Sequence, residues 1–235
     1  MPIDDHTETV IWMHGLGDTA DGFLDIFSTD YNPFKKSTKV IMLTAPTRKV
    51  TIAMGSEITA WYDILRMNFD KAKLEDSISI DQLKESSEIV LEVAKKEIQE
   101  NLNGDESKLF LGGFSQGAAL SLYTGYSSSL NLGGIIALSG HPSFYMDDIL
   151  GSENAEIKKK LPTFMYHGLI DLKIQHKFVT PWATELKENG FNMEYHTEKG
   201  LGHSLSGHEL MKITEFFKRC LEAKETDGEE AKGDL

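Results

Sequence analysis

Residues 9–13, 39–43, 108–112, 134–138 and 162–167 form short apolar runs that are continuous rather than alternating and are bounded by Gly or Pro signals. Strands buried on both faces need continuous apolarity, so these runs predict the interior of a parallel sheet. A further run, 191–196, alternates apolar with polar and belongs towards an edge.

Between the runs the period changes. From 81 to 100, Leu83, Ser87, Val90, Leu91, Ala94 and Ile98 fall near one face of a helix whose other face is charged. Similar stripes cover 116–127, 175–188 and 208–221, the last with Leu210, Ile213, Phe217, Cys220 and Leu221 at helical spacing. Strands alternating with helices of this length predict βαβ crossovers: an α/β chain with a mostly parallel central sheet and helices on both faces. No repeat or linker divides the chain, so residues 1–221 are expected to form one domain. Beyond them, 222–235 carries Glu225, Asp227, Glu229, Glu230 and Asp234 without apolar periodicity and reads as a solvated, disordered tail. The least regular internal stretch is 45–79, where Trp61, Tyr62, Ile64, Leu65, Met67 and Phe69 keep no sustained period. A segment of that length inside a compact domain is more often a functional loop than an accident.

Composition narrows the partners. Asp and Glu outnumber Lys and Arg by 37 to 24, a net charge of -13 that repels phosphate backbones and anionic lipid surfaces, so no nucleic-acid partner is expected. One cysteine, Cys220, rules out an intrachain disulfide and thiolate metal centres. The stretch from Met1 to Thr9 is polar and acidic, and no run of about 18 apolar residues occurs, so a soluble cytoplasmic protein without membrane insertion is expected. A monomer or weak homodimer is the expected assembly, on no feature of the sequence.

Candidate chemistry starts at Gly113-Phe-Ser-Gln-Gly117, a G-x-S-x-G motif directly after a predicted strand and opening a predicted helix. A nucleophile elbow of the α/β-hydrolase fold needs this context: the serine sits on a sharp, strained turn, flanked by residues small enough to let strand and helix meet. Serine is a poor nucleophile at neutral pH, so a histidine must take its proton and a carboxylate must orient that histidine, in the chain order serine, acid, histidine. After Ser115 come His141, His167, His176, His196, His203 and His208. His167 ends a strand before the acid candidate, His176 and His208 fall in helical patterns, and His196 lies in a strand. His203 occupies a glycine-flanked loop, Gly200-Leu-Gly-His-Ser204, between the last strand and last helix, where catalytic groups converge in such sheets. Asp171 follows a strand by a short turn and is the preferred acid; Asp147 and Asp148 belong to an acidic stretch open to solvent. For the oxyanion hole, Gln116 supplies one backbone N–H, and Leu16, in the glycine loop His14-Gly-Leu-Gly-Asp18, is the candidate for the second. His14, at the strand end, is expected to have a structural hydrogen-bonding role.

His14-Gly-Leu-Gly-Asp18, Ala60-Trp-Tyr-Asp-Ile64, the extended elbow from Gly112 to Tyr123, Gly168-x-x-Asp171 and Gly200-x-x-His-Ser204 together resemble the acyl-protein thioesterase and lysophospholipase family of small carboxylesterases, over about residues 9 to 221. The resemblance implies the fold, the Ser115, His203 and Asp171 triad, the Leu16 and Gln116 oxyanion pair, and hydrolysis of fatty acyl thioesters and oxygen esters. It calls for no metal or cofactor. This chain departs from the family's usual pattern at Thr59, where proline is common before the tryptophan, and at Leu172-Lys-Ile174, where an apolar, Pro-containing turn is usual; both border the expected substrate entrance. The expected substrate is an acylated protein or a small acyl ester or thioester, with Trp61, Ile64, Leu65, Met67 and Phe69 lining an acyl channel. A small-molecule carboxylesterase and a lysophospholipase would share every catalytic residue. An inactive binding module of the same fold would normally have lost one of the three.

Overall fold

A computed structural model describes residues 5–233, with side chains through Ala223. In chain order its elements are β1 (Glu8–Met13), α1 (Leu24–Phe27), β2 (Thr38–Leu43), β3 (Thr47–Val50), β4 (Ser56–Thr59), α2 (Ile80–Asn101), β5 (Leu109–Phe114), α3 (Gln116–Ser127), β6 (Gly134–Leu138), α4 (Met146–Leu150), α5 (Ala155–Lys160), β7 (Thr163–Gly168), α6 (His176–Glu188), β8 (Met193–Glu198) and α7 (Gly207–Gly233). The central sheet runs β2-β1-β5-β6-β7-β8, and every neighbouring pair is parallel. Each predicted apolar run overlaps one of these strands to within two residues at its start, and the alternating one, β8, is an edge.

The continuous apolarity follows from a core on each side of the sheet. Along β1, Ile11 and Met13 join one hydrophobic cluster while Val10 and Trp12 join the other. Along β5, Leu109 and Leu111 face the first cluster and Phe110 the second. Side chains of α2, α3 and α6, among them Val90, Leu120 and Leu186, cover the first face, and Ile213 and Phe217 of α7 cover the second. Phe217 packs 4.7 Å from the Phe110 ring centroid and 5.0 Å from that of Phe34. Truncating such a residue costs about 3–5 kcal/mol, because the cavity left behind adds to the lost burial. β2 is the exception: its sequence reads as interior, yet as the other edge strand it is only half-buried beyond Thr38.

Two further differences have local causes. The irregular stretch contains an antiparallel hairpin, β3 paired with β4 from Thr47↔Thr59 to Val50↔Ser56. Its strands are too short for period-2 alternation to stand out. α7 continues through residues 222–233, the stretch read from the sequence as a solvated tail; 234–235 lie outside the described residues. Glu, Ala and Lys are strong helix formers, and extending an existing helix avoids the cost of nucleation. Among the described residues no helix is long and apolar enough to cross a membrane.

Candidate active site

β5 ends at Phe114 and α3 begins at Gln116, which leaves Ser115 alone on the turn with φ 57 and ψ -116. A non-glycine residue there stores strain, so the surroundings must hold it. The Ser115 N–H donates to the Leu138 carbonyl at 2.8 Å. A Cβ on Gly117 would lie 2.1 Å from the Met13 carbonyl oxygen, and one on Gly113 would lie 2.5 Å from the Gly117 carbonyl carbon. Both glycines are therefore required by the closeness of β1, β5 and α3.

Three chain segments converge on this turn at the carboxyl end of the sheet. Ser115 Oγ lies 2.9 Å from His203 Nε2, and His203 Nδ1 lies 2.7 Å from Asp171 Oδ2. The other carboxylate oxygen, Oδ1, accepts the N–H groups of Lys173 at 2.8 Å and Ile174 at 2.9 Å. Burial would raise the Asp171 pKa, but hydrogen bonds from His203 and the Ile174 amide outweigh it and hold the carboxyl below its ordinary value. Asp147 and Asp148 lie exposed on α4, away from this line.

The remaining histidines divide as the sequence suggests. His167 is the penultimate residue of β7, and its Nε2 donates to the Ile174 carbonyl at 2.6 Å while lying 3.6 Å from Asp171 Oδ2. Burial lowers its pKa, which favours the neutral ring. His14 is structural: Nδ1 donates to the Gly15 carbonyl at 2.7 Å and Nε2 accepts the Ala45 N–H at 3.0 Å.

Leu16 lies in a loop clasped to the hairpin. The Gly17 N–H donates to the Thr59 carbonyl at 2.8 Å, and the Thr59 hydroxyl donates to the Asp18 carbonyl at 2.6 Å. Thr59 thus adds a side-chain bond to the loop. Gln116, at the positive end of α3, is clasped from the other side. Its Oε1 accepts the Trp61 N–H at 2.8 Å and its Nε2 donates to the Tyr62 carbonyl at 2.6 Å. The Tyr62 hydroxyl lies 2.9 Å from His141 Nε2 and 3.2 Å from the Gln116 carbonyl oxygen. His141 Nδ1 donates to the Pro142 carbonyl, and burial lowers the ring's pKa to about 4, so it stays neutral.

A cleft of 530 Å³ opens over Ser115 and His203, with Leu16, Gln116, Ile64, Met67 and Phe69 in its lining. Two expected lining residues lie elsewhere. Trp61 is fully buried, its indole N–H donating to the His14 carbonyl at 2.9 Å. Leu65 is half-buried outside the lining, and its N–H donates to the Ser77 carbonyl at 2.8 Å. The lining also includes Ile52, Phe114, His141, Lys173 and Ile174. His141 lies three residues beyond β6, so its place past a strand's carboxyl end is a signal in the sequence. Ile52 has none, because the hairpin brings it there.

A strained serine on such a turn, over a doubly covered parallel sheet, makes the protein a serine hydrolase of the α/β-hydrolase fold. The chain belongs to the phospholipase/carboxylesterase family, whose sequence model matches residues 1–221. It is 36% identical to acyl-protein thioesterase 1 homolog 1 of Dictyostelium discoideum over 93% of each chain. It is 32% identical to acyl-protein thioesterase 1 of Neurospora crassa, over 98% of this chain and 93% of that one. Among crystal structures, Arabidopsis thaliana SOBER1 superposes with a TM-score of 0.79 at 29% identity, covering 92% of this chain and 99% of that one. Zea mays acyl-protein thioesterase 2 follows with a TM-score of 0.78 at 26% identity, covering 94% and 96%.

Proposed function

We propose that the protein hydrolyses fatty acyl thioesters and oxygen esters, with acylated proteins as its main substrates, through Ser115, His203 and Asp171. The observation that carries this reading is the unbroken hydrogen-bonded line from Ser115 Oγ through both His203 nitrogens to Asp171, at the floor of a partly apolar cleft. Ser115 Oγ attacks the acyl carbon and its proton passes to His203 Nε2. Asp171 fixes the tautomer and stabilises the imidazolium. The developing oxyanion accepts hydrogen bonds from the Leu16 and Gln116 amides, each worth about 10²–10³ in kcat. His203 then protonates the departing thiolate or alkoxide, and water releases the acyl group by the same steps.

The acyl chain lies against Ile64, Met67 and Phe69, the members of the irregular segment that line the cleft. The names of the relatives support a protein-bound acyl group over a small ester. A fluorophosphonate probe is expected to label Ser115 alone; labelling that persists in Ser115→Ala would sink the assignment. Activity should rise with acyl length, since each buried methylene adds up to about 0.8 kcal/mol of binding. A kcat/KM that peaks at acetyl and falls towards palmitoyl would replace this reading with a short-chain carboxylesterase. Residues 1–221 form the hydrolase domain in this proposal, so a chain ending at Leu221 should keep kcat/KM within about twofold.

A further inference from the structure

Among the described residues Lys173 is the one lysine or arginine in the cleft lining, on a chain whose net charge is -13. It stands in the turn Leu172-Lys-Ile174 directly after the acid, Asp171. Its amide donates to Asp171 Oδ1 at 2.8 Å, so the residue is fixed to the same carboxylate that orients His203. Its neighbours part in opposite directions: Leu172 is 85% exposed and Ile174 is 3% exposed. Lys173 itself, between them, is exposed and belongs to the cleft lining. Among the described residues no carboxylate pairs with it, whereas Lys39 and Lys71 are held by Glu97 and Glu185.

The chemistry says which part of a substrate this cation meets. The leaving group takes its proton from His203 Nε2, the nitrogen that faces Ser115, and so lies in the cleft that Lys173 also lines. The acyl chain lies against Ile64, Met67 and Phe69, which come from a different segment. The carboxylate in the lining, Asp18, belongs to the glycine loop rather than to the acid turn. An anion on the leaving group therefore meets Lys173. A protein this acidic otherwise repels anions at long range, so an unpaired cation beside the reacting centre makes a local exception.

We propose that Lys173 selects substrates whose leaving group carries a carboxylate or phosphate a few atoms from the scissile bond, an inference that rests on the hydrolase mechanism proposed above. An acidic residue beside an acylated side chain and a phosphorylated alcohol present the same charge to Lys173. The test uses octanoyl thioesters of 3-mercaptopropionate, 3-mercaptopropionamide and thiocholine, with the matching oxygen esters of 3-hydroxypropionate, 3-hydroxypropionamide and choline. The readout is the anionic-to-neutral ratio of kcat/KM within each variant, which cancels any general change in activity.

The wild-type ratio should exceed that of Lys173→Met by about three- to tenfold, the range of a partly exposed, charge-assisted contact. Lys173→Glu should lower it further and favour the choline esters. The preference should shrink in 0.5 M salt, where the Debye length is only about 4 Å. A ratio that Lys173→Met leaves unchanged overturns the proposal. If the thioesters are inert and the oxygen esters are cleaved, the thioesterase reading fails while the oxygen-ester ratios still decide the role of Lys173. A preference retained with both acidic acyl-peptides and phosphorylated alcohols supports recognition of charge alone.

Discussion

The carboxyl end of the sheet and the segment from 45 to 79 meet at one cleft, but they are held in place differently. Ser115, Asp171 and His203 sit one to five residues beyond β5, β7 and β8, and the parallel ladder fixes their separations. The segment has a short hairpin, two 3-10 turns and a single bridge, Ile64↔Ile78, of its own, and side chains fasten it further. Asp63 accepts the Thr51 N–H at 2.7 Å and the Thr51 hydroxyl at 2.6 Å, and its own N–H donates to Gln82 Oε1 at 2.8 Å. Trp61 is held by Gln116 and by the His14 carbonyl, and Tyr62 by Gln116 and His141. Trp61-Tyr62-Asp63, part of the family resemblance, is therefore held as a clasp. Reactive groups stand on the rigid frame, and much of the cleft wall stands on a segment that can vary without disturbing them.

The strongest way to break this division is at the frame. Ser115→Ala or His203→Ala should lower kcat by about 10⁴–10⁶, and Asp171→Asn by about 10⁴, with the unfolding midpoint nearly unchanged. Comparable losses from Asp147→Asn or Asp148→Asn would show that the acid was misassigned.

The clasp should respond differently. Asp63→Ala removes both bonds to Thr51 and frees the turn that carries Ile52 into the cleft. It should lower kcat/KM about tenfold for palmitoyl thioesters and no more than about threefold for acetyl esters, because a misplaced wall costs binding rather than chemistry. Equal losses for both chain lengths would mean that the clasp also supports the oxyanion loop. Within the wall, Met67→Trp should reduce the palmitoyl-to-acetyl ratio by roughly tenfold, while Leu65→Trp, outside the lining, should leave it near the wild-type value. A chain-length series on both variants decides this.

The same division explains what the sequence makes legible. Strand ends were readable because doubly buried strands impose continuous apolarity, and each triad residue lies within a few positions of one. The clasp was not, because Gln116 to Trp61 spans 55 positions and no local pattern announces which side chain will meet which backbone. Trp61 and Leu65 look like channel residues by composition alone; their hydrogen bonds hold them elsewhere. Ile52 and Lys173 enter the lining only once the hairpin and the acid turn have folded.

The smallest effect on turnover, and the most specific test of the frame, lies behind the His203 loop at the start of α7. Ser206 Oγ accepts the Glu209 N–H at 3.0 Å, and Glu209 Oε2 accepts the Ser206 N–H at 3.3 Å, a reciprocal cap three residues after His203. The Ser206 hydroxyl also donates to Glu198 Oε2 at 2.6 Å, as does that of Tyr166. Glu209 is fully buried, and its Oε1 has no partner among the described residues. Burial pushes its pKa up to about 8, with the Glu198 carboxylate adding to the rise against the opposing Ser206 amide. Above the ordinary value of 4.5 the unfolded chain gives up this proton, while the folded chain keeps it to about pH 8. Because the folded state then binds more protons, stability should fall as pH rises across that window, by up to roughly 1.4 kcal/mol per unit from this one group. Glutamine also serves in such a cap but carries no titrating proton, so Glu209→Gln should flatten the slope of urea midpoints between pH 5 and 8 while kcat/KM at pH 7 stays within about twofold. If the slope survives the substitution, Glu209 is not the buried acid responsible. If turnover falls instead, the cap acts on His203 itself and the frame is less rigid than its ladder implies.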